Sequence, residues 1–163
     1  MTADISVSGY FPGALGWVIA EHGRYYAREW QLPLAFECRV AAELSSLVER
    51  LDPARDGFWV ARAGDTLAGS ITIDGSTDPH CARLRFFILS DAHRGKGLGR
   101  TLMRTAMDFC RQAGHRQVYL STFAGLNAAR HLYEAFGFRQ VQELEDRTWG
   151  RAVREQRFEL RLD

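Results

Sequence analysis

The spacing of hydrophobic positions changes character twice along the chain. Between residues 13 and 30, Leu15, Val18, Ile19, Tyr25 and Tyr26 fall at mixed helical spacing. Pro33 then opens a clearer helix, in which Phe36, Val40, Leu44, Leu47, Val48 and Leu51 recur at steps of three and four. From residue 57 the pattern shortens. Phe58 to Ala63, Leu67 to Ile73 and Ala82 to Leu89 read as three strands, separated by a Gly-Asp turn and a Gly-Ser-Thr-Asp-Pro loop, and predict an antiparallel meander. Helical spacing returns with Leu98, Leu102, Ala106, Phe109 and Ala113, giving a helix over about 97 to 113 with Gly114 closing it. Val118 to Thr122 predicts a strand, Leu126 to Phe136 a helix ended by Gly137, and Phe138 to Leu144 with Gln156 to Leu162 a final strand pair. The order β α α β β β α β α β β is that of an α+β domain holding one central βαβ unit.

Composition adds limits. A chain of 163 residues, 46% hydrophobic and 25% charged with 4 Pro and 15 Gly, suits one soluble domain spanning 1–163 and excludes collagen-like, disordered and low-complexity classes. No apolar run approaches the roughly 20 residues of a membrane span, so no membrane partner is expected. The start, Met1-Thr2-Ala3-Asp4, has neither a basic leader nor an apolar segment, which makes the cytoplasm the expected location. Cys38, Cys81 and Cys110 form no CxxC, and His22, His80, His93, His115 and His131 show no HxxxH spacing. No disulfide framework and no metal are therefore expected.

Net charge is only +1, which gives no reason to expect a nucleic-acid partner, but its distribution is uneven. Residues 1 to 82 carry 6 Arg against 11 acidic residues, whereas residues 83 to 116 carry 8 basic residues against 2 Asp. A compact polyanion held by the second stretch fits this pattern, as does an ordinary solvated helix face. Within that stretch Ile88-Leu89-Ser90 leads into Arg94-Gly95-Lys96-Gly97-Leu98-Gly99-Arg100. Strand, glycine loop and helix follow in that order, so free amides of the first helical turn face outward with the positive end of the helix dipole. The loop is not a P-loop, because GxxxxGK[ST] is absent. It is not a dinucleotide fingerprint either, because the glycine spacing is wrong and residues 117 to 122 hold no acid.

Arg94-Gly95-Lys96-Gly97-Leu98-Gly99 resembles the [QR]xxGx[GA] signature of the GNAT superfamily of N-acetyltransferases, and Ala129 to Phe138 is similar to its AxxxYxxxGF helix end. The two motifs stand at the usual separation. The segments Arg147 to Gly150 and Glu155 to Phe158 further resemble acetyltransferase domains fused behind a winged-helix (MarR-type) regulator. The resemblance implies a twisted, mixed but mostly antiparallel sheet of about seven strands flanked by about four helices. It also implies acetyl-CoA as co-substrate, with the pyrophosphate on residues 94 to 99 beside Arg100. The pantetheine arm would lie along Ile88, Leu89 and Ser90, where strands four and five splay apart. Tyr133 aligns with the tyrosine that protonates the departing thiolate, and a backbone amide near Ile88 or Leu89 with the oxyanion donor. Asn127 stands one position later than the family asparagine that touches CoA.

For the acceptor, the first two helices and the late loop supply Tyr25, Tyr26, Arg28, Glu29 and Trp149, with Arg147 nearby. Aromatic walls, a carboxylate and an arginine suit a small zwitterion, so a small amino acid or related amine is expected. A protein or peptide amine, a longer acyl group and a non-catalytic acyl-CoA-binding module remain open alternatives. Some relatives keep a carboxylate on strand four, but Arg83 to Leu89 holds none, leaving a water relay or a group from the N-terminal helices such as Glu29 or Glu37 as base. A homodimer through a sheet edge is common among such domains and is a further expectation.

Overall fold

A computed structural model describes residues 4–163. The elements follow the expected order: β1 (Ile5–Ser8), α1 (Ala14–Trp30), α2 (Leu34–Glu49), β2 (Gly57–Ala63), β3 (Thr66–Asp74), β4 (Cys81–Leu89), α3 (Leu98–Gln112), β5 (Gln117–Phe123), α4 (Asn127–Ala135), β6 (Arg139–Asp146) and β7 (Val153–Arg161). One seven-stranded sheet in the order β1-β2-β3-β4-β5-β7-β6 carries four helices, an α+β architecture. Every neighbouring pair is antiparallel except β4 and β5, the parallel pair that α3 connects. Boundaries moved most at the end of the chain. β6 and β7 run toward each other's loop beyond Leu144 and before Gln156, because the pair Asp146↔Val153 extends their ladder. Pro33 sits at the N-cap of α2 rather than inside it. No helix among the described residues is long and apolar enough to cross a membrane.

The sheet buries both faces. On one, Leu102, Met103, Ala106 and Met107 of α3 pack on Ile71, Ile73, Leu84, Val118 and Leu120, joined by Tyr133 and Phe138 from the α4 end. Three of the α3 side chains, Leu102, Met103 and Met107, are fully buried, each stabilising the fold by about 1.5–3 kcal/mol. Cys110 lies in this core, where burial pushes its thiol up to about 12. On the other face Val18 of α1 and Leu44 of α2 pack on Phe58 and Val60, while Phe36 and Val40 meet Phe123 and Val153.

Two irregularities in β4 make room for a site. Its parallel pairing with β5 lasts only for Cys81↔Gln117, Ala82↔Val118 and Arg83↔Tyr119, after which the strands diverge into a wedge. Opposite β3 the register slips between Ser70 and Thr72, and Phe86 takes φ of +51°, a left-handed conformation that strains an L-residue by about 1–2 kcal/mol. The Ser70 hydroxyl donates to the Phe86 carbonyl at 3.0 Å and helps hold the bulge. The extra residue shifts the alternation of side chains. Leu84 faces the α3 core and so do Phe87 and Leu89, whereas Arg85 and Phe86 both turn toward α1 and α2.

Candidate active site

The wedge opens into a cavity of about 510 Å³ that reaches both sides of the sheet. At one mouth lies the glycine loop. Gly95 and Gly97 have φ of +71° and +83°, conformations for which glycine is the unstrained choice. Gly97 is the N-cap of α3 and no side chain caps it, so the first amides of the helix are left for an outside acceptor. Gly99 is needed for a different reason. A Cβ there would come within 3.2 Å of Leu132 and 3.4 Å of Leu89, closing the gap between loop and wedge.

Arg94 and Arg100 line the cavity, as do Gly95, Gly97 and Gly99. Arg94 is held in place by a 3.0 Å hydrogen bond to the Leu89 carbonyl and lies 4.5 Å over the Tyr25 ring. Ile88 and Leu89 form the strand side of the same wall. Four of the loop and helix positions expected from the sequence are not brought to it. Lys96 is exposed, Leu98 faces the α3 core, the Ser90 hydroxyl is engaged with His93 at 2.7 Å, and Asn127 is exposed at the start of α4 beside the lining residues Leu126 and Ala128. Donors at the mouth and an apolar slot behind it fit the phosphates and pantetheine of acetyl-CoA.

Tyr133 stands where the wedge meets the core. Its ring packs against Phe87, Phe138 and Phe158, with centroids 6.0 to 6.2 Å away, and burial raises its hydroxyl pKa. A phenol so held stays protonated at neutral pH and is a proton donor rather than a base. Tyr26 lies across the same cavity, and its hydroxyl pKa is likewise raised by burial and by the neighbouring Tyr133.

The face toward α1 and α2 is lined by Tyr25, Tyr26, Phe36, Phe123 and Trp149. Trp149 packs against Phe36 at 5.4 Å, and its indole N–H is buried without a partner. Arg28 and Glu29 do not line the cavity, although the Arg28 guanidinium lies 5.9 Å over the Tyr25 ring. They pair with each other at 2.8 Å on the exposed side of α1, where Arg28 also reaches Asp91. Arg147 is largely exposed and pairs with Glu145 at 2.9 Å, and Glu37 packs on α1 at Gly23. Arg28 and Glu29 stand one turn beyond Tyr25 and Tyr26, toward the exposed end of α1, where ion pairs with each other and with Asp91 hold them outside the cavity.

In their place β4, β7 and the inner faces of α1 and α2 contribute polar side chains that the sequence alone did not assign to the site. Arg83, Arg85, Glu43, Glu155 and His22 all line the cavity. Arg85 is neutralised by Glu43 at 2.6 Å and Asp74 at 3.3 Å. Glu155 is raised above the ordinary carboxylate range by burial and by Asp146 beside it, with Ser121 and Arg83 opposing. His22 donates Nδ1–H to the Val18 carbonyl at 2.8 Å, and burial lowers its pKa to about 4, so it is neutral and weakly basic at pH 7. One signal was available for the arginines: in Ala82-Arg83-Leu84-Arg85 the charges alternate with apolar residues, as on a strand with one polar face. Nothing local marks Glu155.

Residues 20–138 match the model of the acetyltransferase (GNAT) family. The chain is 29% identical over 126 residues to the N-acetylaspartate synthetase of Danio rerio, covering 77% of this chain and 45% of that protein. It is 33% identical over 100 residues to human N-acetyltransferase 8B, covering 59% and 44%. The chain thus spans less than half the length of these relatives. Among solved structures, yncA of Salmonella typhimurium with its cofactor acetyl-CoA superposes with a TM-score of 0.73 at 17% identity, over 98% of this chain and 94% of that one. The spermidine N-acetyltransferase of Vibrio cholerae in complex with CoA and spermine gives 0.72 at 20% identity, over 96% and 95%.

Proposed function

The chain belongs to the acetyltransferase (GNAT) family, and we propose that it moves the acetyl group of acetyl-CoA directly onto the amine of a small amino acid or related small molecule, both substrates being bound together. The observation that carries this reading is the two-sided cavity. A glycine loop with uncapped helix amides opens at one mouth, while aromatic and charged side chains from the sheet and from α1 and α2 close the other. Loop amides, Arg94 and Arg100 hold the phosphates, and the slot between β4 and β5 takes the pantetheine arm.

The neutral amine attacks the thioester carbonyl carbon, the C–S bond breaks, and the electron pair leaves on sulfur. The Tyr133 hydroxyl gives its proton to that thiolate and is reprotonated, through water, by the proton that the new amide nitrogen loses. Glu155 accepts the proton lost by the ammonium, directly or through water. Burial first of all raises its pKa toward that of a working base, it lines the cavity whereas Glu29 does not, and His22 is too weak a base for the task.

A small α-amine suits this site. An α-amine of pKa about 8 is roughly one-tenth neutral at pH 7, whereas a lysine side chain near 10.4 is neutral only about once in 2,500. The arginines on β4 disfavour a polyamine, and the name of the Danio rerio relative points toward an amino acid. The test is a steady-state screen of amino acids, polyamines and lysine peptides with acetyl-CoA, following thiol release. Turnover of free amino acids is expected, and efficient acetylation of lysine peptides with no turnover of amino acids overturns the proposal.

A further inference from the structure

Arg83 is the last residue of β4 paired to β5, so it stands at the vertex of the wedge. Its guanidinium lies 5.8 Å over the Tyr119 ring, which Arg157 also covers at 4.0 Å, and this aromatic face gives it no anion. Arg85, two residues on and on the same side of the strand, is taken up by Glu43 and Asp74, and Asp74 also binds Arg50 at 3.0 Å and the Ser76 hydroxyl at 2.6 Å. Arg157 is paired with Glu159. Arg83 forms none of the ion pairs found among the described residues, and its Nε is buried with no hydrogen-bond partner. Arg83 lowers the pKa of the cavity carboxylate Glu155 through space, but the two form no ion pair within 4.0 Å. Buried polar atoms in folded proteins are almost always paired, and a guanidinium left with an orphaned donor beside a cavity is a place for an anion from outside the chain. The buried Trp149 indole N–H is a second orphaned donor on the same cavity.

Arg83 and Trp149 line the same cavity as Tyr133 and the glycine loop, so an acceptor held by its carboxylate at this vertex shares one cavity with the slot for the thioester.

We infer that Arg83 is the specificity-determining residue of the acceptor site: its guanidinium, with the Trp149 indole N–H as a second donor, binds the carboxylate of the acceptor, so that amines bearing a carboxylate are preferred over those lacking one. This rests on the acetyl-transfer reading above and assigns the recognition role to β4, where the sequence had suggested Arg28 or Arg147.

The test compares each amino acid accepted by the wild type with its decarboxylated amine, in the wild type, Arg83→Gln and Arg83→Lys. Hydrogen bonds to charged groups carry enough energy that Arg83→Gln should lower the ratio of kcat/KM for amino acid over amine by about ten- to a hundredfold, mostly through KM, with Arg83→Lys in between. An equal thermal shift of wild type and Arg83→Gln with acetyl-CoA shows that the variant is folded and its CoA groove intact. If Arg83→Gln leaves the ratio unchanged, or if the wild type acetylates the decarboxylated amines and no amino acid, the carboxylate subsite is overturned while acetyl transfer stands. If the wild type turns over no amine of either kind, the acetyl-transfer reading falls and this inference with it.

Discussion

His22 offers a quantitative test of how tightly the α1 wall is closed. Its ring is buried, stacked with Tyr26 at 6.2 Å and edge-on to Phe86 at 6.0 Å, and Nδ1–H is committed to the Val18 carbonyl. Burial lowers its pKa from 6.5 to about 4, the Val18 bond opposing in part. The unfolded chain therefore binds the proton more tightly than the folded one. By linkage, this contribution to stability is intact above pH 6.5 and is lost as pH falls toward 4. Between pH 7 and pH 5, a shift of that size removes about 2 kcal/mol of folding stability. His22→Gln keeps an amide donor for Val18 but cannot titrate. Urea unfolding of both proteins at the two pH values should therefore give the variant a loss smaller by about 2 kcal/mol, whatever its stability at pH 7. The His22 ring resonance should also titrate near 4. Parallel pH dependence in wild type and variant, or a midpoint near 6.5, would refute the buried, neutral assignment.

Tyr133→Phe keeps the ring in its contacts with Phe87, Phe138 and Phe158 but removes the proton, so kcat should fall by about 10² to 10⁴ with little change in melting temperature; wild-type turnover would leave the thiolate to solvent. Glu155→Gln should remove the acid limb of the pH profile of kcat/KM, a limb that in the wild type lies above the ordinary carboxylate pKa because Glu155 is raised. An unaltered profile would assign the base elsewhere. Acetyl-CoA at a hundredfold excess over Kd should stabilise the fold by about 2.7 kcal/mol, seen as a rise in Tm. Gly97→Val, which forces a β-branched residue to φ of +83°, should abolish that rise; its persistence, or no shift in the wild type, would refute the role of the loop.

The sequence alone determined the parts of this protein whose causes are local. Helical and alternating hydrophobic spacing set the element order, and the glycines from Gly95 to Gly99 set the shape of the anion mouth, because backbone freedom is a property of the residue itself. The same locality let Tyr133 be named, since it falls within a compact motif. The acceptor side was decided otherwise. Arg28 and Glu29 neighbour Tyr25 and Tyr26 in sequence but stay outside the cavity in exposed ion pairs, while Arg83, Glu43 and Glu155 come to one cavity from β4, α2 and β7. Three pairs of parallel register before the strands part, one bulge at Phe86 that reverses the alternation, and the withdrawal of Arg85 into ion pairs choose which charges face the wedge. Each of these depends on pairing between segments far apart in the chain, so the residue types were visible in the sequence and their meeting was not.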